Sequence, residues 1–148
     1  MKRDGEKFGA LLLEIQRSFR SVMDGRLKPL GLSQAKWRAL LQISKSGGEL
    51  TQTELALLIG VETPSLARLL DRLERDGWIK RHGSPNDRRA KIIKLAKKSN
   101  GVMKIIEKAA REARDELFSN VTRGEMERLV RILEKMKAKA EKMQRNAA

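Results

Sequence analysis

From Thr51 to Gly77 the chain reads TQTELALLIGVETPSLARLLDRLERDG, and no other stretch restricts the fold so tightly. Thr51 and Glu54 have capping-box spacing, in which a hydroxyl and a carboxylate each satisfy an orphan amide at a helix start. The helix they open runs through Leu55 and Leu58 and breaks at Gly60. A second helix follows, with Pro64 in its first turn, where a missing amide costs nothing. Leu66, Leu69, Leu70 and Leu73 form its buried side, and Ser65, Arg68, Arg72 and Arg75 lie close to the opposite one. Two short helices, the second turning Ser and Arg outward, make a helix-turn-helix: one helix supports and the other reads the major groove. Arginines on a helix can equally be a solvated face. The capped helix before them and the basic segment after them favour DNA.

After Gly77, WIKRHG and RAKIIKL are two candidate strands joined by a turn containing SPND, which predicts a two-stranded ribbon with Arg88 and Arg89 near its tip. From Lys80 through Lys98 there are eight Lys or Arg and a single acid, Asp87. The same excess holds over the 148 residues, where 33 Lys and Arg face 19 Asp and Glu for a formal charge of +14. A polyanionic partner follows, nucleic acid first and an anionic membrane second. An arginine at a hairpin tip suits the narrow minor groove, and Arg89 is the expected one. Asp87 can brace a neighbouring Arg by a charge-assisted hydrogen bond, and Asn86 or Asp87 can fold the loop as an Asx turn, two roles that are compatible. Lys91 and Lys94 are expected at phosphates, and His82 as a polar strand residue.

The ends of the chain are helical. Phe8, Leu11, Leu12, Ile15, Phe19, Val22, Met23 and Leu27 fall on one stripe of a helix that stops near Lys28-Pro29-Leu30-Gly31. Ser33 can cap the next helix, which carries Trp37, Leu40, Leu41 and Ile43 and ends before Gly47-Gly48. Beyond the ribbon, Val102, Ile105, Ile106, Ala109, Ala113 and Leu117 mark a long helix that breaks around Ser119 to Val121. Thr122 and Glu125 repeat the capping box before a last helix with Met126, Leu129, Val130, Leu133, Met136, Ala140 and Met143. These stripes exceed what a small central module can cover. The terminal helices are therefore expected to pack on one another and on those of a second subunit, forming a homodimer whose two reading helices fit an inverted repeat. The fold class expected is mainly α with a small β hairpin. Residues 33–95 would form a winged helix-turn-helix lobe, and 6–30 with 99–144 a dimerisation region.

Several classes of function are disfavoured. With 0 Cys and one His there is no thiol sensor, no disulfide framework and little for a metal site, so neither metal nor cofactor is expected. No apolar run approaches the roughly 20 residues that span a bilayer, and no secretory core follows the first charges, so a cytoplasmic location is expected. Glu54, Glu62 and Asp71 read as caps and solvated positions, and no nucleophile, base and orienting group form a set, which argues against an enzyme. Trp37 and Trp78 read as core residues; two Trp and 0 Tyr are too few for a single-strand stacking surface. An architectural protein binding DNA by charge alone is the leading alternative.

Three stretches, RLKPLGLSQAKWRALL (Arg26 to Leu41), GVETPSLARLLDRLERDGWIKR (Gly60 to Arg81) and SPNDRRAKIIKL (Ser84 to Leu95), occur in an order and spacing that resembles the winged-helix regulators of the MarR family, and within it the SlyA branch. The resemblance covers nearly the whole chain. It implies a homodimer on an inverted-repeat operator, usually a repressor, and in the SlyA branch often one that displaces a nucleoid silencing protein. Pro64, Ser65 and Arg68 match the family's recognition helix, Asp87 and Arg89 its wing signature, and Arg88 is also basic in the close branch. The expected DNA contacts are thus Thr63, Pro64, Ser65, Arg68, Arg72, Asp87, Arg88, Arg89 and Lys91. The family also implies release by a small aromatic carboxylate, for which Arg17 and Trp37 match pocket positions as charge partner and apolar wall; each also has a structural reading, Arg17 in an interface ion pair and Trp37 in the core. Ala96 departs from the pattern, which has a capping Thr there, so the long helix is expected to start later, toward Ser99 or Asn100.

Overall fold

A computed structural model describes residues 2–147, with side chains for 3–146. It divides into two compact units, Met1–Ala113 and Arg114–Ala148. In the first, α1 (Lys2–Leu27) passes through a short 3-10 turn (Lys28–Leu30) to α2 (Gln34–Lys45). The hydroxyl of Ser33 caps α2 by accepting the Lys36 amide at 3.4 Å. β1 (Leu50–Thr51) leads into α3 (Gln52–Ile59), then α4 (Thr63–Arg75), β2 (Ile79–Gly83), β3 (Lys91–Leu95) and α5 (Ser99–Leu117).

The capping box at α3 is complete. Thr51 Oγ1 accepts the Glu54 amide at 3.2 Å, and Glu54 Oε2 accepts the Thr51 amide at 2.8 Å. Gly60 ends α3 with φ +65°, a conformation that Cβ-bearing residues resist, and the chain turns at once into α4. Leu55 and Ile59 of α3 meet Leu66, Leu69, Leu70 and Leu73 of α4 in one core with Leu40 and Ile43 of α2. Full burial of each such side chain stabilises by about 1.5–3 kcal/mol, enough to fix the angle between the two short helices.

The ribbon is wider and shorter than the sequence suggests. β2 and β3 pair antiparallel with Arg81 opposite Ile93, but β1 adds a third antiparallel strand on the other edge of β3, with Leu50 opposite Ile93. Two residues offer no alternation to read, and Leu50 joins the sheet because doing so buries it against the core. Trp78, Arg89 and Ala90 fall outside the strands.

The long helix α5 does start at Ser99, yet the expected cap is not what holds it. Ser99 is fully buried, and its hydroxyl donates to the Trp78 carbonyl instead of accepting an amide. The Ala96 amide donates to that same carbonyl at 2.9 Å, so the small residue at 96 sits against the start of the wing.

In the second unit Thr122 and Glu125 form the other reciprocal box, at 3.3 and 2.9 Å, before α6 (Arg123–Ala147). Leu129, Val130, Ile132, Met136 and Met143 are exposed on α6, as Leu11, Leu12, Leu13, Ile15 and Val22 are on α1. Among the described residues no helix is long and apolar enough to cross a membrane.

Candidate nucleic-acid interface

The leucine face of α4 is buried, which turns its other face outward: Thr63, Pro64, Ser65, Arg68 and Arg72 are all exposed. Glu62 sits at the N-cap of α4 without a side-chain cap bond, and Pro64 occupies the first turn as expected. Across from this face, the loop from Ser84 to Ala90 closes on itself. The Ser84 amide donates to the Ala90 carbonyl at 2.9 Å, and the Ala90 amide to the Asp87 carbonyl at 3.1 Å. Asp87 Oδ1 accepts the Arg89 backbone amide at 2.9 Å. Asp87 therefore works on the main chain as an Asx turn, leaving the exposed Arg88 and Arg89 side chains at the tip.

A groove of about 540 Å³ lies between helix and wing, lined by Thr51, Gln52, Thr53, Thr63, Arg81, Asp87, Arg89, Ala90 and Lys91. The predicted residues Thr63, Asp87, Arg89 and Lys91 are thus brought to one place, with the amino terminus of α3 beside them. Helix amino termini carry partial positive charge, which adds to that of the cations lining the groove. Ser65 and Arg72 line a different depression, of about 280 Å³, together with Gln34, Arg38 and Leu69.

This arrangement has counterparts. The profile of the MarR family matches residues 30–90, and the structure of the transcriptional regulator PA3341 is 39% identical, covering 91% of this chain and 98% of its own with a TM-score of 0.83. The chain belongs to the MarR family. A MarR-family regulator from Silicibacter pomeroyi is 29% identical over 87% of this chain and 86% of its own, with a TM-score of 0.76. A mutant MarR from E. coli complexed with operator DNA is 28% identical, covering 88% of this chain and 93% of its own, with a TM-score of 0.64. This MarR-family chain is accordingly a transcriptional regulator and not an enzyme.

The two residues matched to an effector pocket are not brought together. Arg17 is exposed and lines a groove of about 420 Å³ on α1, with Leu13, Gln16, Arg20, Ser21, Asp24 and Gln34. Trp37 does not line it; the ring is in the core at 3% exposure, and its buried Nε1 has no hydrogen-bond partner among the described residues. Trp78 is half-buried under two ammonium groups, Lys36 at 4.1 Å and Lys98 at 4.6 Å from the ring centre. Burial, more than the nearby Lys98 charge, lowers the Lys36 pKa, with Asp76 pulling the other way.

Two structural arginines escaped the sequence reading. Arg38 reaches from α2 to the Ile59 carbonyl at 2.5 Å, satisfying the end of α3, and burial lowers its pKa. Arg81 is committed to Glu74 and Asp71 at 2.6 and 2.7 Å. The signal for the second was present in the spacing: Asp71 and Glu74 lie three apart and so share a helix face, just ahead of a strand rich in cations.

Proposed function

We propose that the chain is a SlyA-like regulator, most simply a bacterial cytoplasmic repressor, that binds an inverted-repeat operator as a homodimer and is released by a small aromatic carboxylate. The observation that carries the DNA reading is the operator-bound MarR relative, matched over 88% of this chain, together with an α4 whose outward face is polar and cationic. In this reading Thr63, Pro64, Ser65, Arg68 and Arg72 enter the major groove, where arginine reads guanine edges bidentately. Asp87 shapes the wing, Arg88 and Arg89 approach the minor groove, and Lys91 meets phosphate. Residues 33–95 act as the reading lobe, and 6–30 with 99–144 as the dimerisation region, which is supported by the exposed apolar residues on α1 and α6.

The effector reading rests on the groove lined by Arg17, with Trp37 in the core and outside that lining. A carboxylate entering that groove would give Arg17 a charge partner. Benzoate is a suitable probe: it should lower operator affinity of the wild-type protein and leave Arg17→Ala unaffected.

The deciding experiment is fluorescence anisotropy with duplexes from the region upstream of the gene, competed against random DNA at physiological salt. A regulator prefers one inverted repeat by roughly 10³-fold or more. Uniform, steeply salt-dependent binding across upstream and genomic duplexes would instead mark an architectural protein, for whose affinity the +14 charge alone would suffice.

A further inference from the structure

Arg81 lines the groove beside Arg89 and Lys91, and by charge alone it would be counted with them as a phosphate contact. Its bonding is different. Only 17% of its side chain is exposed, and one edge of its guanidinium is engaged: Nε and Nη2 donate to Glu74 Oε2 at 2.9 and 2.6 Å, and Nη2 also donates to Asp71 Oδ1 at 2.7 Å. The Arg81 backbone amide donates to the other Glu74 oxygen, Oε1, at 3.0 Å. One carboxylate of α4 therefore holds both the main chain and the side chain of a single residue in β2.

These bonds span a pivot. Between α4 and β2 the chain turns through Asp76, Gly77 and Trp78, with Gly77 at φ +77°. The Gly77 amide donates to Glu74 O at 2.9 Å and the Trp78 amide to Leu73 O at 2.8 Å, so the turn closes on the last turn of the helix. A tight turn alone leaves the strand free to swing about it. Glu74 and Asp71 meet Arg81 beyond the turn, where a bond resists that swing with leverage. Arg81 is also the middle residue of β2 and pairs with Ile93, so its position is passed to β3 and to the tip between them.

We propose that Arg81 is a positioning residue whose clasp by Glu74 and Asp71 fixes the angle between recognition helix and wing, so that both engage one DNA site together. The proposal rests on the DNA reading above. It assigns Arg81 to shape rather than to contact: a guanidinium shared by two carboxylates has little charge left for phosphate, and lysine cannot replace its fork.

Three variants separate the roles: Glu74→Gln, Arg81→Lys and Arg81→Gln, with circular dichroism to confirm folding. Each is measured on the duplex selected from the upstream library and on random DNA, across a salt series. The clasp predicts that all three lose roughly tenfold in the ratio of selected to random affinity, with random binding and salt slope nearly unchanged. A phosphate contact predicts the reverse: Arg81→Lys behaves as wild type, Glu74→Gln binds all DNA slightly tighter, and Arg81→Gln weakens both duplexes equally. That pattern would overturn the proposal. Hydrogen exchange of residues 84–90 without DNA gives the second readout, expected to speed up in Glu74→Gln and Arg81→Lys. Unchanged exchange would also overturn it. Should the wild-type chain prefer no duplex at all, the DNA reading fails by itself, and exchange still decides whether Glu74 and Arg81 hold the wing.

Discussion

Arg68 and Lys91 are both exposed cations on the side proposed to face DNA, and charge does not separate them. Position does: Arg68 lies on the outward face of α4, whereas Lys91 opens β3 at the edge of the groove. Arg68→Ala should therefore erode discrimination at particular bases by about 1–3 kcal/mol, while Lys91→Ala weakens selected and random duplexes evenly and lowers the salt slope by about one. Equal losses on both duplexes for both variants would remove the distinction. Asp87 gives a second test, because its bond goes to the Arg89 amide and an asparagine oxygen accepts equally well. Asp87→Asn should keep most operator affinity, and Asp87→Ala should lose about 1 kcal/mol by loosening the tip. If asparagine fails as badly as alanine, the carboxylate charge is what matters. At this scale the sequence was legible where a residue's chemistry has one local partner, as with Ser33 or Thr51. It was not for Arg81, whose partners lie across a turn, so its charge looked like the seven others around it.

At the scale of elements, both Thr-x-x-Glu boxes were readable because their four-residue spacing carries the whole interaction. β1 was not, since its existence depends on the distant Ile93 rather than on its own two residues. The boxes and the clasp share a pH dependence. Hydrogen bonds from Arg81 hold the Glu74 pKa below its ordinary 4.5, the Thr51 amide and hydroxyl do the same for Glu54, and the Thr122 hydroxyl and amide for Glu125. A carboxylate whose folded pKa is depressed contributes stability that is fully present above its unfolded pKa and is lost as pH falls through the folded value. The thermal midpoint should thus be flat near neutrality and drop below about pH 4.5. Glu74→Gln and Glu54→Gln should each start lower and fall less steeply in acid. Parallel curves for wild type and variants would show that these carboxylates are not the groups that titrate.

For the whole molecule, the apolar residues left in water are more informative than those in the core. Leu12 on α1 is 49% exposed and Leu129 on α6 is 43% exposed, each within a row of similar neighbours. Exposed apolar rows of this kind are what the proposed homodimer would cover, and the proposed reading of an inverted repeat needs two lobes held at fixed spacing. The stripes were legible as helical periodicity and a second subunit was the expected partner, but periodicity marks an apolar face without itself saying what covers it. Sedimentation should give a species of twice 16.8 kDa at micromolar concentration, with a thermal midpoint that rises with protein concentration. Leu12→Glu and Leu129→Glu should each shift the chain toward monomer. Losing the second lobe removes the effective concentration that links two half-sites, so operator affinity should fall by roughly 10²–10⁴-fold. Binding to a single half-site duplex should change little, since α4 and the wing are untouched. A wild-type monomer that bound the full inverted repeat no better than half of it would sink the dimer, and the exposed rows on α1 and α6 would then need a different partner.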